Sequence, residues 1–141
     1  MGIEVRLALS LPRDRQTVSL TRRILDAALS VLGITRECRA DIGLAVGEAC
    51  ANVVQHAREG ADYEVTIAIH DDRCVIDIVD DGVGVDDVNA GFEPAGPDDE
   101  SGRGLRIIRA LADVVELRRR QPHGAALRIV KTLNRHSPAS V

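Results

Sequence analysis

Aromatic side chains are nearly absent from this sequence. Tyr63 and Phe92 are the only two and there is no tryptophan, so a core has to be built from Leu, Ile, Val and Ala. The same lack removes the stacking platforms on which single-stranded nucleic acids are held. Lysine is scarce as well. Lys131 is the only one, the other basic side chains being arginine, which excludes lysine-based catalysis except from a residue near the C-terminus. Cys38, Cys50 and Cys74 are odd in number and show no CxxC spacing; they read as buried, reduced thiols rather than a disulfide framework or metal site. No run of about 18 uncharged apolar residues offers a membrane span. Glu4 and Arg6 interrupt the only apolar opening, which speaks against a signal peptide, and Met1-Gly2 lacks the following Ser or Thr of a myristoylation signal. A cytoplasmic protein with no membrane partner is expected. The net charge of -4 argues against a general polyanion binder, because counterion release needs clustered cations, so no direct nucleic-acid contact is expected either.

What is present suits one globular domain. The chain has 141 residues, 45% hydrophobic and 28% charged, a soluble balance in which roughly two-thirds of the unfolded surface can be buried. Residues 1–133 are expected to form a single domain and 134–141 a frayed tail. "IEVRLAL" alternates Ile3, Val5, Leu7 and Leu9 as a strand does. Asp14 then caps a helix running to about Leu32 and ended by Gly33, and Thr35 caps a second over about 36–58. Val65, Ile67 and Ile69 alternate, as do Cys74, Ile76 and Ile78, with Asp71-Asp72 between them as the turn of a hairpin. Glycine, proline and acidic runs fill residues 80–102, a length that suits a lid over a site. Helical spacing resumes through Leu105, Ile108, Leu111 and Ala112, and "VVELRRR" and "AALRIVKTL" follow as two strands around Pro122 and Gly124. This order predicts an α+β fold: a two-layer sandwich of one mixed, mostly antiparallel sheet with helices on one face.

Three short motifs carry chemistry. On the helix that contains "VGEACANVVQHA", Asp41, Glu48, Asn52, Gln55 and Glu59 fall within about 60° of one another, while Ile42, Val46, Ala49 and Val53 share another face. Gly43, Gly47 and Ala51 lie beside the polar stripe, where each glycine costs roughly 1 kcal/mol against alanine, so something is expected to approach that surface closely. Glu48 and Asn52, at i and i+4, set a proton acceptor beside a neutral amide oxygen suited to a hard cation such as Mg²⁺; a solvated helix face is the other reading of the pair. In "DIVDDGVGVDD", Asp80 ends a strand and can accept from an exocyclic amine, while Gly82 and Gly84 leave the following backbone open to a ring or phosphate; alone, the same letters describe a turn. In "SGRGL", Ser101, Gly102, Arg103, Gly104 and Leu105 precede a helix whose start favours an anion, although they could equally be a loop with no ligand. No GxxxxGK[ST] occurs, so a P-loop is excluded.

Taken in this order, "GEACANVVQHA", "DDGVG" and "SGRGLRIIRALADVVEL" resemble the N, G1 and G2 boxes of the GHKL ATPases, whose ATP-binding fold is the Bergerat fold, over about residues 5–133. Within that superfamily the chain looks most like the anti-sigma-factor serine kinases of the RsbW type. The resemblance implies that Glu48 is the general base and Asn52 the Mg²⁺ ligand of a bound ATP. It implies that Asp80 reads the adenine amine, that Gly82 and Gly84 line the base site, and that Ser101, Gly102, Arg103, Gly104 and Leu105 lie over the phosphates. The activity implied is transfer of the γ-phosphoryl group to a serine of an anti-anti-sigma (STAS) partner by a homodimer that also sequesters a sigma factor. The alternative is a switch module that binds ATP or ADP and a protein partner without useful catalysis, for which the acidic Asp98-Asp99-Glu100 would be the sign. A detached histidine-kinase catalytic domain is a third possibility.

Overall fold

The structure, a computed structural model, describes residues 4–55, 62–80, 100–119 and 124–136. Their elements run β1 (Glu4–Leu11), α1 (Arg15–Val31), α2 (Arg36–Gln55), β2 (Tyr63–His70), β3 (Arg73–Asp80), α3 (Glu100–Leu111), β4 (Val114–Arg119) and β5 (Ala125–Thr132). The strands form one sheet in the order β1-β2-β3-β5-β4. A mixed sheet was expected, mostly antiparallel, and all four of its pairings are antiparallel. Two hairpins and an out-and-back helix pair account for that. α1 and α2 together return the chain so that β2 runs against β1. β3 and β4 point the same way, but β5 lies between them, so the crossover through α3 produces no parallel pairing.

Register places one apolar row on one face. Leu7, Ile67, Ile76, Ile129 and Val115 stand opposite one another across all five strands, and Ile67, Ile76 and Ile129 are almost fully buried. The other face carries charge, including the paired Arg128 and Asp77. Ile42, Val46, Ala49 and Val53 of α2 and Leu25 and Leu29 of α1 complete the same core cluster. The aliphatic composition dictates this core, and Tyr63 is the one aromatic member.

Local signals set the helix limits. Asp14 accepts from the Gln16 amide at 3.0 Å, satisfying one of the first-turn donors of α1. Gly33 takes φ +79° just beyond it, the left-handed conformation that stops a helix. Thr35 accepts from the Cys38 amide at 3.2 Å and so caps α2. Asp71 adopts φ 52° in the two-residue hairpin turn, a conformation aspartate tolerates better than most residues. Residues 134–136, expected to fray, are instead bonded: Thr35 N–H donates to the Asn134 carbonyl, His136 N–H donates to the Gly33 carbonyl, and Ile34 bridges Arg135. The turn at Gly33 leaves the backbone groups of this linker pointing outward, and the chain after β5 takes them up. All three cysteines are buried and free of disulfides. No helix among the described residues is long and apolar enough to cross a membrane.

Candidate functional site

Two of the three expected motifs meet where α3 packs along α2. Leu111 and Ala112, at the end of α3, share a small gap with Asp41, Ile42 and Ala45 of α2, whereas Gly104, near its start, faces Glu48 and Asn52. The two helices therefore run antiparallel. A Cβ built on Gly104 would lie 3.1 Å from Asn52 Nδ2, 3.2 Å from Glu48 Oε2 and 3.3 Å from Asn52 Oδ1, closer than side chains normally pack. Glycine is what lets the α3 backbone rest on this pair of polar groups.

This contact explains an otherwise odd burial. Asn52 is only 3% exposed, although its amide nitrogen is buried with no hydrogen-bond partner. A buried amide group without a partner costs about 1–3 kcal/mol. Because the oxygen and nitrogen of an asparagine amide exchange by a half-turn, either atom can face the gap beneath Gly104. Glu48, one turn earlier, is partly exposed.

An unmet amide next to a carboxylate, under a surface with no room for a side chain, fits a magnesium nucleotide. Magnesium keeps several waters and takes one or two protein oxygens besides phosphate. Among the described residues no group of three or more His, Cys, Asp or Glu side chains gathers to hold a metal alone, and that mode of binding requires none.

Asp80 lies at the end of β3 and forms an ion pair with Arg13, the side chains being 20% and 7% exposed. Arg13 belongs to the turn between β1 and α1, and its part here went unread in the sequence. The only clue was its place two residues after the end of β1, and the sequence holds seventeen arginines. Gly82 and Gly84 lie outside the described residues, as do His56 and most of the expected lid. Ser101, Gly102, Arg103 and Gly104 were expected to precede a helix but form the first turns of α3, which begins at Glu100. Packing of Gly104 and of the buried Leu105 and Ile108 outweighs the helix cost of two glycines.

The small residues of α2 have two fates. Arg22 of α1 lies over Gly47, its Cδ 3.0 Å from where a Cβ would stand, so the expected close approach is made by a neighbouring helix. Gly43 has open space instead and lines a cavity of about 470 Å³ between α1 and α2 with Arg22, Arg23, Asp26 and Arg39. None of the expected site residues borders it.

Beneath Asp80 sits a buried hydroxyl network. Tyr63 opposes both Leu11 and Asp80 in the sheet, and its hydroxyl lies 2.7 Å from Thr17 Oγ1. Burial pushes the Tyr63 phenol up to about 12 and the Cys50 thiol up to about 12. Both stay protonated near neutrality, and Cys50, although two residues from Glu48 and from Asn52, is no nucleophile.

Known proteins resemble this chain in sequence and in fold. The chain is 32% identical over 139 residues to the serine-protein kinase RsbW of Halalkalibacterium halodurans, covering 92% of this chain and 84% of that protein. It is 29% identical over 127 residues to the anti-sigma F factor of Caldanaerobacter subterraneus subsp. tengcongensis, covering 86% and 89%. Among solved structures, the RsbU and RsbW domains of a Mycobacterium tuberculosis protein superpose with a TM-score of 0.71 at 19% identity over 93% of this chain, which spans 32% of that structure's length. The SiaB–SiaC complex from Pseudomonas aeruginosa gives a TM-score of 0.65 at 18% identity, over 88% of both chains. These two likenesses speak to the fold. Residues 11–131 match the histidine kinase-like ATPase domain, and with the α2–α3 site built as described, the chain belongs to the histidine kinase-like ATPase domain family.

Proposed function

We propose that the protein is an ATP-dependent protein-serine kinase that phosphorylates a serine of an anti-anti-sigma (STAS-type) partner and sequesters a sigma factor. The observation that carries this is the packing of Gly104 against Glu48 and Asn52, so close that a Cβ on the glycine would stand 3.1–3.3 Å from their side-chain atoms. A binding module needs no proton acceptor beside its metal ligand, and the place of Glu48 one turn before Asn52 supports the kinase reading. Relatives named as serine-protein kinase and anti-sigma factor support the choice of reaction and partners.

Asn52 would hold Mg²⁺ through its amide oxygen, and the metal would neutralise charge on the transferred phosphoryl group. Phosphoryl transfer depends on positioning and electrostatics more than on covalent help. Glu48 would accept the proton of the attacking serine hydroxyl, a contribution of roughly 10²- to 10⁴-fold. The first four N–H groups of α3, those of Glu100 to Arg103, have no partners within the helix and suit the phosphates, with Leu105 anchoring the turn in the core. Asp80 would accept from the adenine amine beside Gly82 and Gly84. A homodimer through β1 and α1 is part of the same proposal: β1 is an edge strand whose Val5, Leu7 and Leu9 are only half-buried, and Leu20 and Val31 of α1 are exposed. The site of action would be the cytoplasm.

The test is incubation with γ-labelled ATP, Mg²⁺ and a STAS-domain partner. Label on a partner serine is expected. Label on histidine, or tight nucleotide binding with no label on any partner, would overturn the kinase assignment.

A further inference from the structure

The end of β3 already holds a donor. β1 stops at Leu11, which lies opposite Tyr63, which in turn lies opposite Asp80, so the turn that follows Leu11 is delivered to the carboxylate that ends β3. That turn is fixed from below. Asp14 N–H donates to the Pro12 carbonyl at 2.9 Å, and Thr17 Oγ1 lies 3.1 Å from the Pro12 carbonyl, 2.6 Å from the Asp14 carbonyl and 2.7 Å from the Tyr63 hydroxyl. Arg13 stands between Pro12 and Asp14. Its guanidinium reaches Asp80 with the side chain only 7% exposed, so it is set there by the backbone and shielded from solvent, unlike an ion pair formed by two surface chains.

Resting on the assignment of Asp80 to the nucleobase, we propose that Arg13 is a built-in occupant of the base site, a specificity-determining residue whose guanidinium takes the place of the base amine on Asp80 and yields it when ATP enters. A guanidinium and an exocyclic amine offer the same thing to a carboxylate, an N–H donor, and only one can take a given donor position. The ion pair gives a largely buried carboxylate a charged partner in the empty protein. It also sets a toll on any base that presents an amine to Asp80. An adenine replaces the lost bond with its own amine, whereas a base without one leaves the ion pair in place, so Arg13 lowers affinity for ATP and narrows the preference of the site for an amine-bearing base.

The test is calorimetric binding of Mg-ATP and of purine riboside triphosphate, which lacks the 6-amine, to the wild type, Arg13→Met, Arg13→Lys and the double variant Arg13→Met/Asp80→Ala. Arg13→Met is expected to bind ATP about tenfold more tightly, the size of one charge-assisted bond no longer broken on entry, with no gain for the amine-free analogue. Arg13→Lys, which keeps the charge but not the fork of donors, is expected to show a smaller gain in the same direction and decides the matter if the methionine variant does not fold. ATP affinity unchanged or weakened in the single variants overturns the proposal. If the double variant binds ATP as tightly as Arg13→Met, Asp80 does not contact the base, and the base-site assignment falls together with the proposal. A loss in the double variant with no gain in the single ones overturns the role of Arg13 alone.

Discussion

Two regions of the molecule that carry expected site residues treat space in opposite ways. Where α3 meets α2, a side chain is missing: Gly104 lets the backbone approach Glu48 and Asn52 to within 3.1–3.3 Å of a would-be Cβ, and the Asn52 amide nitrogen is left buried without a partner. At the end of β3 a side chain is supplied, and Arg13 meets the carboxylate of Asp80. The first end carries an unmet polar group that a ligand can satisfy, at a standing cost to the empty protein. The second is satisfied from within and has to give something up. On the proposed assignment, binding energy would be gained chiefly beside Asn52 and partly given back at Asp80.

The largest effect that could break this contrast lies at Glu48. Glu48→Gln keeps the shape of the side chain and removes its capacity to take a proton, so phosphotransfer is expected to fall by about 10²- to 10⁴-fold with nucleotide affinity unchanged; undiminished labelling of the partner would remove Glu48 from the chemistry. Next comes Gly104→Val. Filling a contact this tight costs about 1–3 kcal/mol, to be read from urea denaturation, and is expected to weaken nucleotide binding because α3 must move off α2. A variant as stable as the wild type would mean that the two helices are not pressed together here. The third is Asn52→Leu, which replaces an unpartnered buried amide by an apolar group of similar size. The empty protein is expected to gain about 1 kcal/mol while Mg²⁺-dependent ATP binding is lost, a trade of function for stability. A destabilised Asn52→Leu would show that the amide has a partner in solution.

Why one end was legible in the sequence and the other was not follows from how each is encoded. Glu48, Asn52 and Gly104 are set by spacing along helices and by the absence of a Cβ, and both survive as patterns in the letters. The sheet is legible for the same reason, since alternation at Val65, Ile67, Ile69 and at Cys74, Ile76, Ile78 fixes which face is buried. The hairpin, the Asp14 and Thr35 caps and the stop at Gly33 are equally local. Arg13 has no such signature. Its partner lies 67 positions away in sequence, and the two meet only because β1, β2 and β3 are neighbours in register. The start of α3 was misjudged because glycines normally disfavour a helix interior, and a tertiary contact reversed that preference. The order of residues 134–136 also depends on a remote linker, Gly33–Thr35, which no local pattern reports.

The smallest effect tests what supports the base end from beneath. Tyr63→Phe removes the hydroxyl that lies 2.7 Å from Thr17 Oγ1, while Thr17 keeps its backbone acceptors, so a loss of about 1 kcal/mol is expected. The same group has a signature in pH. Burial raises Tyr63 from 10.0 to about 12 and Cys50 from 9.0 to about 12; the folded protein holds both protons more tightly than the unfolded chain does. Their contribution to stability is therefore complete below about pH 9 and is lost as pH rises from there to about 12. Cys50 begins to erode it from about pH 9 and Tyr63 from about pH 10. Denaturation midpoints across this range are expected to fall less steeply above pH 10 in Tyr63→Phe than in the wild type, because the buried thiols alone remain to ionise. If the two alkaline limbs coincide, the phenol is not shielded where β1, β2 and β3 meet, and the rigid seat of the Arg13 turn has to come from the Pro12 and Asp14 carbonyls alone.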